Sequence, residues 1–469
     1  MRILFFTWRW ALRRFEDVVS DLAADGNEVV IVFRRGDQRS LPKVLRDSPL
    51  VTRTVYDDVS SPEFGRAIAV LRHLRDYAWY LAPSQEVGSF NRRRALDSLL
   101  GSATGGSRQT DRSWPDPVVA LDPEEQAALS ESLAELDRRI PADPGVVEFS
   151  RGQRPDVVLV SPLVHQRFHQ NEVVKAAREL GIPTGFLVYS WDNLSNKGRI
   201  HVAPDRVLVW NELQRQEAVE LHGIDPRAVV VTGASRWDEF FAMAPRKDRE
   251  QFCAKHSFDP DLPIVVYLGS TVGVCPNEPE VLDLWIDTIR AAPAPLGQAN
   301  ILFRRHPGMR MYARIWAHWT LQHERVSATP SPHQADQGLF DELYHAAAVV
   351  GLNTSAHIEA AILGRPVYTF SAGALAPGQS GSRHFYYLLK QHGGVVSYAE
   401  TMDEHVAQLQ QGLAGDYDRE ALRRFCIEFV RPHGLDRPVS PIVADEVRKL
   451  AGLTREDAAG APAATAGRV

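Results

Sequence analysis

The chain is predicted to be an α/β protein with two Rossmann-like domains, on three observations. Its 469 residues exceed what one ordinary hydrophobic core supports, so two domains of about 200 residues each are expected. Short runs rich in Val, Ile and Leu alternate with stretches of helical periodicity, the pattern of parallel β-α-β units. Hydrophobic residues make up 44% of the chain and charged residues 24%, enough apolar surface to offset the ordering entropy of a folded core.

Residues 2–8 are the first apolar run. Phe15, Val18, Val19, Leu22 and Ala23 recur at helical spacing, and Asp25-Gly26-Asn27 stops that helix ahead of a second run at 28–33. From about 60 to 154 the pattern changes to helical pieces divided by a Gly/Ser/Pro-rich stretch, 101–117, expected to be an insertion on the first sheet. Strands follow at 156–160, 184–189, 206–210 and 229–232, with helices at 171–180 and 213–222 closed by Gly181 and Gly223. Residues 236–261 are charged, helical and without a strand, as a connection would be. A second alternation has strands at 264–268, 300–304, 348–351 and 366–370, and helices at 281–292, 339–345 and 355–363. From 418 to 450 the pattern is helical with a break at Arg431-Pro432-His433-Gly434. The expected organisation is a first domain over 1–245, a second over 246–425, helices over 426–455 returning toward the first domain, and a disordered Ala/Gly-rich tail over 456–469. Two such sheets are expected to face each other across a cleft, with ligands held at strand carboxyl ends.

The net charge of −6 and the absence of a basic arm speak against nucleic acid as a partner. Cys253, Cys275 and Cys426 lie far apart, without zinc or disulfide spacing, which suits a reducing, cytoplasmic setting. The opening apolar run is shorter than a signal-peptide core, and no stretch approaches the ~20 apolar residues of a membrane span. Trp8 and Trp10 beside Arg13 and Arg14 leave room for a peripheral membrane contact, although a buried strand followed by a loop explains them as well.

The strongest chemical signal is the segment from Gly351 to Val367, where a strand ends in Asn353-Thr354-Ser355 and a helix starts at once. Free N–H groups there favour an anion such as phosphate. Glu359, one turn in, leans back toward that opening, where a carboxylate can accept hydrogen bonds from ribose hydroxyls. The plainer alternative is an N-terminal Ser with a Glu that suits the helix dipole.

This segment resembles the Ser-x-x-x-Glu-Ala-x-x-x-Gly-x-Pro-Val element of GT-B proteins, among them bacterial glycosyltransferases, CDP-glycerol glycerophosphotransferases and nucleotide-sugar 2-epimerases. The resemblance implies that Thr354 and Ser355 face donor phosphate and Glu359 faces ribose. Arg304-Arg305-His306-Pro307 resembles the basic-His-Pro element of the same proteins, with Arg305 and His306 as the implied diphosphate contacts. Gly269-Ser270-Thr271 resembles their Gly-Ser loop, and Thr232-Gly233-Ala234 with Trp237-Asp238 resembles the element closing the first domain.

After the strand at 184–189 comes Tyr189-Ser190-Trp191-Asp192-Asn193-Leu194-Ser195-Asn196-Lys197-Gly198. Asp192 is placed as a general base for an acceptor hydroxyl, with Trp191 as a sugar-stacking face and Asn193 and Lys197 as further contacts; an Asx-type turn with a packed Trp reads equally well. His165 and His169 are rival bases, and His384 is a donor or acceptor contact. The segment lacks the Trp-His-Gly loop of the glycerophosphotransferases and the His-x-Glu loop of the 2-epimerases. The first strand-to-helix loop lacks the glycine many GT-B enzymes carry.

The expected function is metal-independent transfer of a sugar from a nucleoside diphosphate sugar, the co-substrate, to a hydroxyl acceptor that is a glycan, a lipid-linked or a small molecule. The alternatives are a 2-epimerase-like isomerase and a CDP-glycerol-type glycerophosphotransferase. No Asp-x-Asp pair follows a strand, so no metal is implied, and no other cofactor is expected.

Overall fold

The computed structural model describes residues 1–36, 40–57, 60–81, 89–104, 122–164, 169–306, 323–329, 336–380 and 383–452. The chain forms two compact units, Met1–Asp238 with Phe429–Val469, and Glu239–Glu428.

The first unit is built on seven parallel strands: β1 (Arg2–Thr7), β2 (Glu28–Arg34), β3 (Val51–Tyr56), β4 (Val157–Ser161), β5 (Thr184–Leu187), β6 (Arg206–Val209) and β7 (Val229–Val231), ordered β3-β2-β1-β4-β5-β6-β7. The order reverses between β1 and β4, which is where an open sheet of this kind leaves a crevice. Alternate residues feed two cores. Leu4, Phe6, Val30, Val32, Val158 and Val160 pack on one face, and Ile3, Phe5, Val29, Ile31, Val157 and Leu159 on the other. Burial on both faces explains why these strands read as continuous apolar runs.

The second face is covered in part by the helix Ser440–Ala451, whose Val443, Val447 and Leu450 join that core. Asp238 docks this helix. Its carboxylate pairs with Arg431 at 2.6 Å and accepts the N–H groups of Val439 and Ser440 at 2.8 and 2.7 Å. Gly233, at φ +101°, would place a Cβ 2.7 Å from Val439 and 3.1 Å from the Val430 carbonyl, so the backbones meet where only glycine fits. The C-terminal helix thus returns to the first unit, as expected.

The helical insertion comprises Pro62–Leu81, Ser89–Thr104, Pro123–Arg139 and Pro144–Gln153. It is fastened to the helix His169–Leu180 by buried ions: Arg72 pairs with Asp137 at 3.1 Å and with Glu172, Arg75 pairs with Asp137, and Lys175 reaches Asp137 at 2.9 Å. Burial pushes the Asp137 carboxyl up, but Arg72 and Lys175 outweigh it and hold it at about 2. Most of the 101–117 stretch and the expected tail lie outside the described residues.

The second unit has six parallel strands: β8 (Ile264–Leu268), β9 (Asn300–Arg304), β10 (Val326–Ala328), β11 (Ala348–Gly351), β12 (Val367–Phe370) and β13 (Val396–Ala399), ordered β10-β9-β8-β11-β12-β13. Its reversal falls between β8 and β11. Trp285 and Tyr267 are fully buried in its core, and Trp285 donates to His405 Nε2 at 3.0 Å. Burial lowers His405 to about 3, so the imidazole is a neutral acceptor. Strands β3, β10 and β13 were not expected from the sequence, nor was the helix Met402–Leu413. No helix among the described residues is long and apolar enough to cross a membrane.

Candidate functional site

In the second unit the two strands flanking the reversal each run into a glycine. The Gly269 N–H donates to the Arg304 carbonyl at 2.8 Å, and a Cβ on Gly269 would lie 3.0 Å from that oxygen and from His306 N. A Cβ on Gly351 would lie 2.8 Å from His357 Nε2 and 3.0 Å from the Leu268 carbonyl. The absence of side chains lets the β8, β9 and β11 ends converge, bringing Gly269, His306, Gly351 and the chain leading to Thr354 into one region.

Thr354 and Ser355 are half-buried. Ser355 has helical dihedrals, φ −64° and ψ −20°, and its hydroxyl caps nothing, so the plain N-cap alternative is not its role. The Thr354 hydroxyl accepts only a long 3.4 Å bond from Ala356 N. Glu359 lies one turn into the helix Ala356–Ile362 and is buried. His357 points inward beneath Gly351, and burial lowers it to about 3, leaving a neutral ring.

The two arginines at the end of β9 separate. Arg304 is held by the buried Glu342 in a part-buried pair at 2.8 Å, while Arg305 donates through Nε to the Thr329 carbonyl at 3.0 Å. Burial lowers the pKa of His306. Thr271 is exposed, and its carbonyl accepts the N–H groups of Val274 and Cys275 at 2.9 and 3.0 Å, closing a turn. Ser270 departs from the expectation of a phosphate contact: it is fully buried, and its N–H donates to Glu278 at 2.8 Å.

Sequence reasoning missed Glu278. It is fully buried under the Gly269-Ser270 turn, its Oε2 has no partner, and burial drives its carboxyl up to about 8 despite the Ser270 donors. No local signal marks it, because a Glu in the first turn of a helix is ordinarily a solvated, dipole-friendly residue. Gln379 was missed as well. It is buried, its side-chain amide donates to the Phe370 carbonyl at 2.7 Å, and its backbone carbonyl accepts from the Asn353 side chain at 3.2 Å, tying the loop after β12 to the one after β11. His384 is buried in the short helix Arg383–Tyr386.

In the first unit the loop after β5 places Asp192 in an ion pair with Lys197 at 2.9 Å. It also accepts from Ser190 and, at 3.4 Å, from Asn196. Lys197 is therefore occupied by Asp192. Trp191 is only 6% exposed, so it presents no open stacking face, and Asn193 is fully buried with its amide on the Val164 carbonyl at 3.1 Å. Both side chains were expected to meet a sugar, and both instead pack the loop. His165 lies outside the described residues, as does the side chain of His169. At the β1/β4 reversal, Gln170 donates to the Phe6 and Ser161 carbonyls at 3.2 and 3.0 Å and bridges the strand ends. Trp8 is buried, while Trp10 is 42% exposed and packs edge-on against Tyr189. Among the described residues, no group of three or more His, Cys, Asp or Glu is placed to hold a metal ion.

No protein family matches the sequence, and no curated protein matches it. Solved structures do match in fold. UDP-GlcNAc 2-epimerase from Methanocaldococcus jannaschii aligns over 96% of this chain and 100% of its own with a TM-score of 0.52 and 11% identity. S. aureus MnaA, solved with UDP, aligns over 96% and 97% with a TM-score of 0.52 and 12% identity. A glycosyltransferase from Rickettsia africae aligns over 96% and 98% with a TM-score of 0.50 and 12% identity. At these identities the likeness concerns the fold alone, a pair of parallel α/β units.

Proposed function

We propose that the chain is a nucleotide-sugar enzyme, a glycosyltransferase that moves a sugar from a nucleoside diphosphate sugar to a hydroxyl acceptor without a metal or other cofactor. One observation carries the reading: the β8/β11 reversal of the second unit, where glycines at both strand ends let the strand ends converge near the chain that carries Thr354, Ser355 and Glu359. An open sheet binds its ligand in such a crevice. There the two hydroxyls suit phosphate oxygens, and the Glu359 carboxylate, acceptor only when ionised, suits ribose hydroxyls. Arg305 adds a cation that tolerates a diphosphate. The fold likeness to S. aureus MnaA, solved with UDP, supports the choice of ligand class.

Asp192 is the proposed base for the acceptor hydroxyl, oriented by Lys197 and Asn196. Titrating UDP-, GDP-, CDP- and dTDP-sugars in a thermal-shift assay tests the reading, since a ligand of the native state raises the unfolding temperature. The expected result is a shift with one base, lost in Glu359→Ala and kept in Asp192→Asn, the latter with reduced turnover. No shift with any nucleotide would overturn the proposal.

Isomerisation is the second reading, favoured by the fold likeness to a UDP-GlcNAc 2-epimerase. Incubation with the bound nucleotide sugar alone separates the two, because only the isomerase forms an epimer without an acceptor.

A further inference from the structure

Glu278, the first residue of the helix Glu278–Ala291, lies fully buried beneath the Gly269-Ser270 turn that follows β8. One carboxyl oxygen accepts the Ser270 N–H at 2.8 Å, and the other, Oε2, has no partner. A Cβ built on Gly269 would meet three groups at one point: the Arg304 carbonyl and the His306 backbone nitrogen, each at 3.0 Å, and Glu278 Oε2 at 3.3 Å. The unpaired oxygen therefore lies where the ends of β8 and β9 meet, beside the stretch that carries Arg305 and His306. Gly351 closes on the same strand end, its Cβ position 3.0 Å from the Leu268 carbonyl.

The titratable groups that face this carboxyl from neighbouring elements are Tyr267 on β8 and Cys275 in the loop after it. Burial first, then the Glu278 charge, pushes Tyr267 well up and Cys275 up to about 12. Neither is a cation, and among the described residues no cation offsets the burial that raises Glu278 to about 8. The group is thus neutral at neutral pH. Beside a diphosphate a neutral carboxyl is tolerated, whereas a buried carboxylate repels the ligand and itself lacks a counter-charge. The coupling is reciprocal: a diphosphate that binds better to the protonated form must hold that proton more tightly in the complex. Affinity is then full below pH 8 and falls as pH rises above it, and binding in that range takes up a proton.

We propose that Glu278 is a positioning residue of the donor site, acting through the Gly269-Ser270 turn, and that the site admits a nucleoside diphosphate only while Glu278 holds its proton. The proposal rests on the nucleotide reading of the second unit. A residue that only packed the turn would leave no proton balance between free and bound states.

Isothermal titration of the full chain with UDP, and in turn with GDP, CDP and dTDP, from about pH 7.5 to 9.5 tests this in buffers of differing ionisation enthalpy. Over that range the nucleotide phosphates are already ionised, their last pKa being about 6. Burial lowers His306, and lowers His357 to about 3, so both rings are neutral throughout. The wild type is expected to take up protons on binding, seen as heats that depend on the buffer, and to bind about tenfold more weakly at the upper pH than at the lower. Glu278→Gln is expected to show no uptake and a Kd that stays flat with pH. Should that variant fail to fold, wild-type uptake beginning near pH 8 decides the matter. Binding without proton uptake, uptake that persists in Glu278→Gln, or weakening that only tracks loss of near-UV circular dichroism in the free chain would overturn the proposal and leave the nucleotide reading standing. Binding of none of the four nucleotides would overturn that reading, and this proposal with it.

Discussion

Glu278→Gln should make the second unit more stable at alkaline pH and leave it unchanged in acid. In the folded chain burial raises this carboxyl from 4.5 to about 8. Below pH 4.5 both folded and unfolded chains hold the proton, and the contribution of the residue is fully present. Between 4.5 and 8 the folded chain keeps a proton that the unfolded chain has released, so stability falls by about 1.4 kcal/mol for each pH unit. Above pH 8 the loss is complete, on the order of 5 kcal/mol. Glutamine mimics the neutral acid and keeps an oxygen for the Ser270 N–H, which Glu278 accepts at 2.8 Å, so the variant escapes that loss. Urea unfolding of both proteins followed by circular dichroism from pH 5 to 9 measures it, and other titrating groups cancel in the difference at each pH. A difference that does not change with pH, or a less stable variant at pH 9, would refute a buried, neutral Glu278.

Three further perturbations probe how the units are held. Arg72→Met leaves Glu172 buried without the guanidinium that pairs with it, and a loss of about 3–5 kcal/mol is expected in denaturant unfolding. Asp238→Ala removes the partner of Arg431 and of the Val439 and Ser440 N–H groups, so the helix Ser440–Ala451 should detach; limited proteolysis should cut between 430 and 440 much faster than in the wild type, and unchanged cutting would dismiss the clasp. Gly351→Ala puts a methyl 3.0 Å from the Leu268 carbonyl and against His357, expected to cost about 1–3 kcal/mol and to weaken nucleotide binding with it.

Much of the fold was legible because the central strands are buried on both faces. The runs at 264–268, 300–304 and 348–351 are so apolar that their limits match β8, β9 and β11. Three of the four edge strands were not legible. In β3, Thr52 and Arg53 face solvent; β10 is three residues long; and β13 reads Val-Ser-Tyr-Ala. An edge strand is covered on one side and lacks a continuous apolar signature. At the candidate site, Thr354, Ser355 and Glu359 could be named from a strand end and a helix start adjacent in sequence. Glu278 could not, nor could the Asp76 carboxylate that accepts the Arg199 backbone N–H at 2.8 Å, because each depends on a partner far along the chain, or on the burial that such packing creates.

Sequence alone therefore determined the β-α-β alternation, the glycines at the strand ends and the residues proposed for the donor side, since each follows from local periodicity or a contiguous motif. Tertiary structure alone decided which charged groups are desolvated. It turned Ser270 and Trp191 inward, placed Asp192 against Lys197, and buried Glu278. Solvation is a property of the whole packed chain, and pairing across 65 residues, as between Arg72 and Asp137, leaves no periodic trace in the sequence.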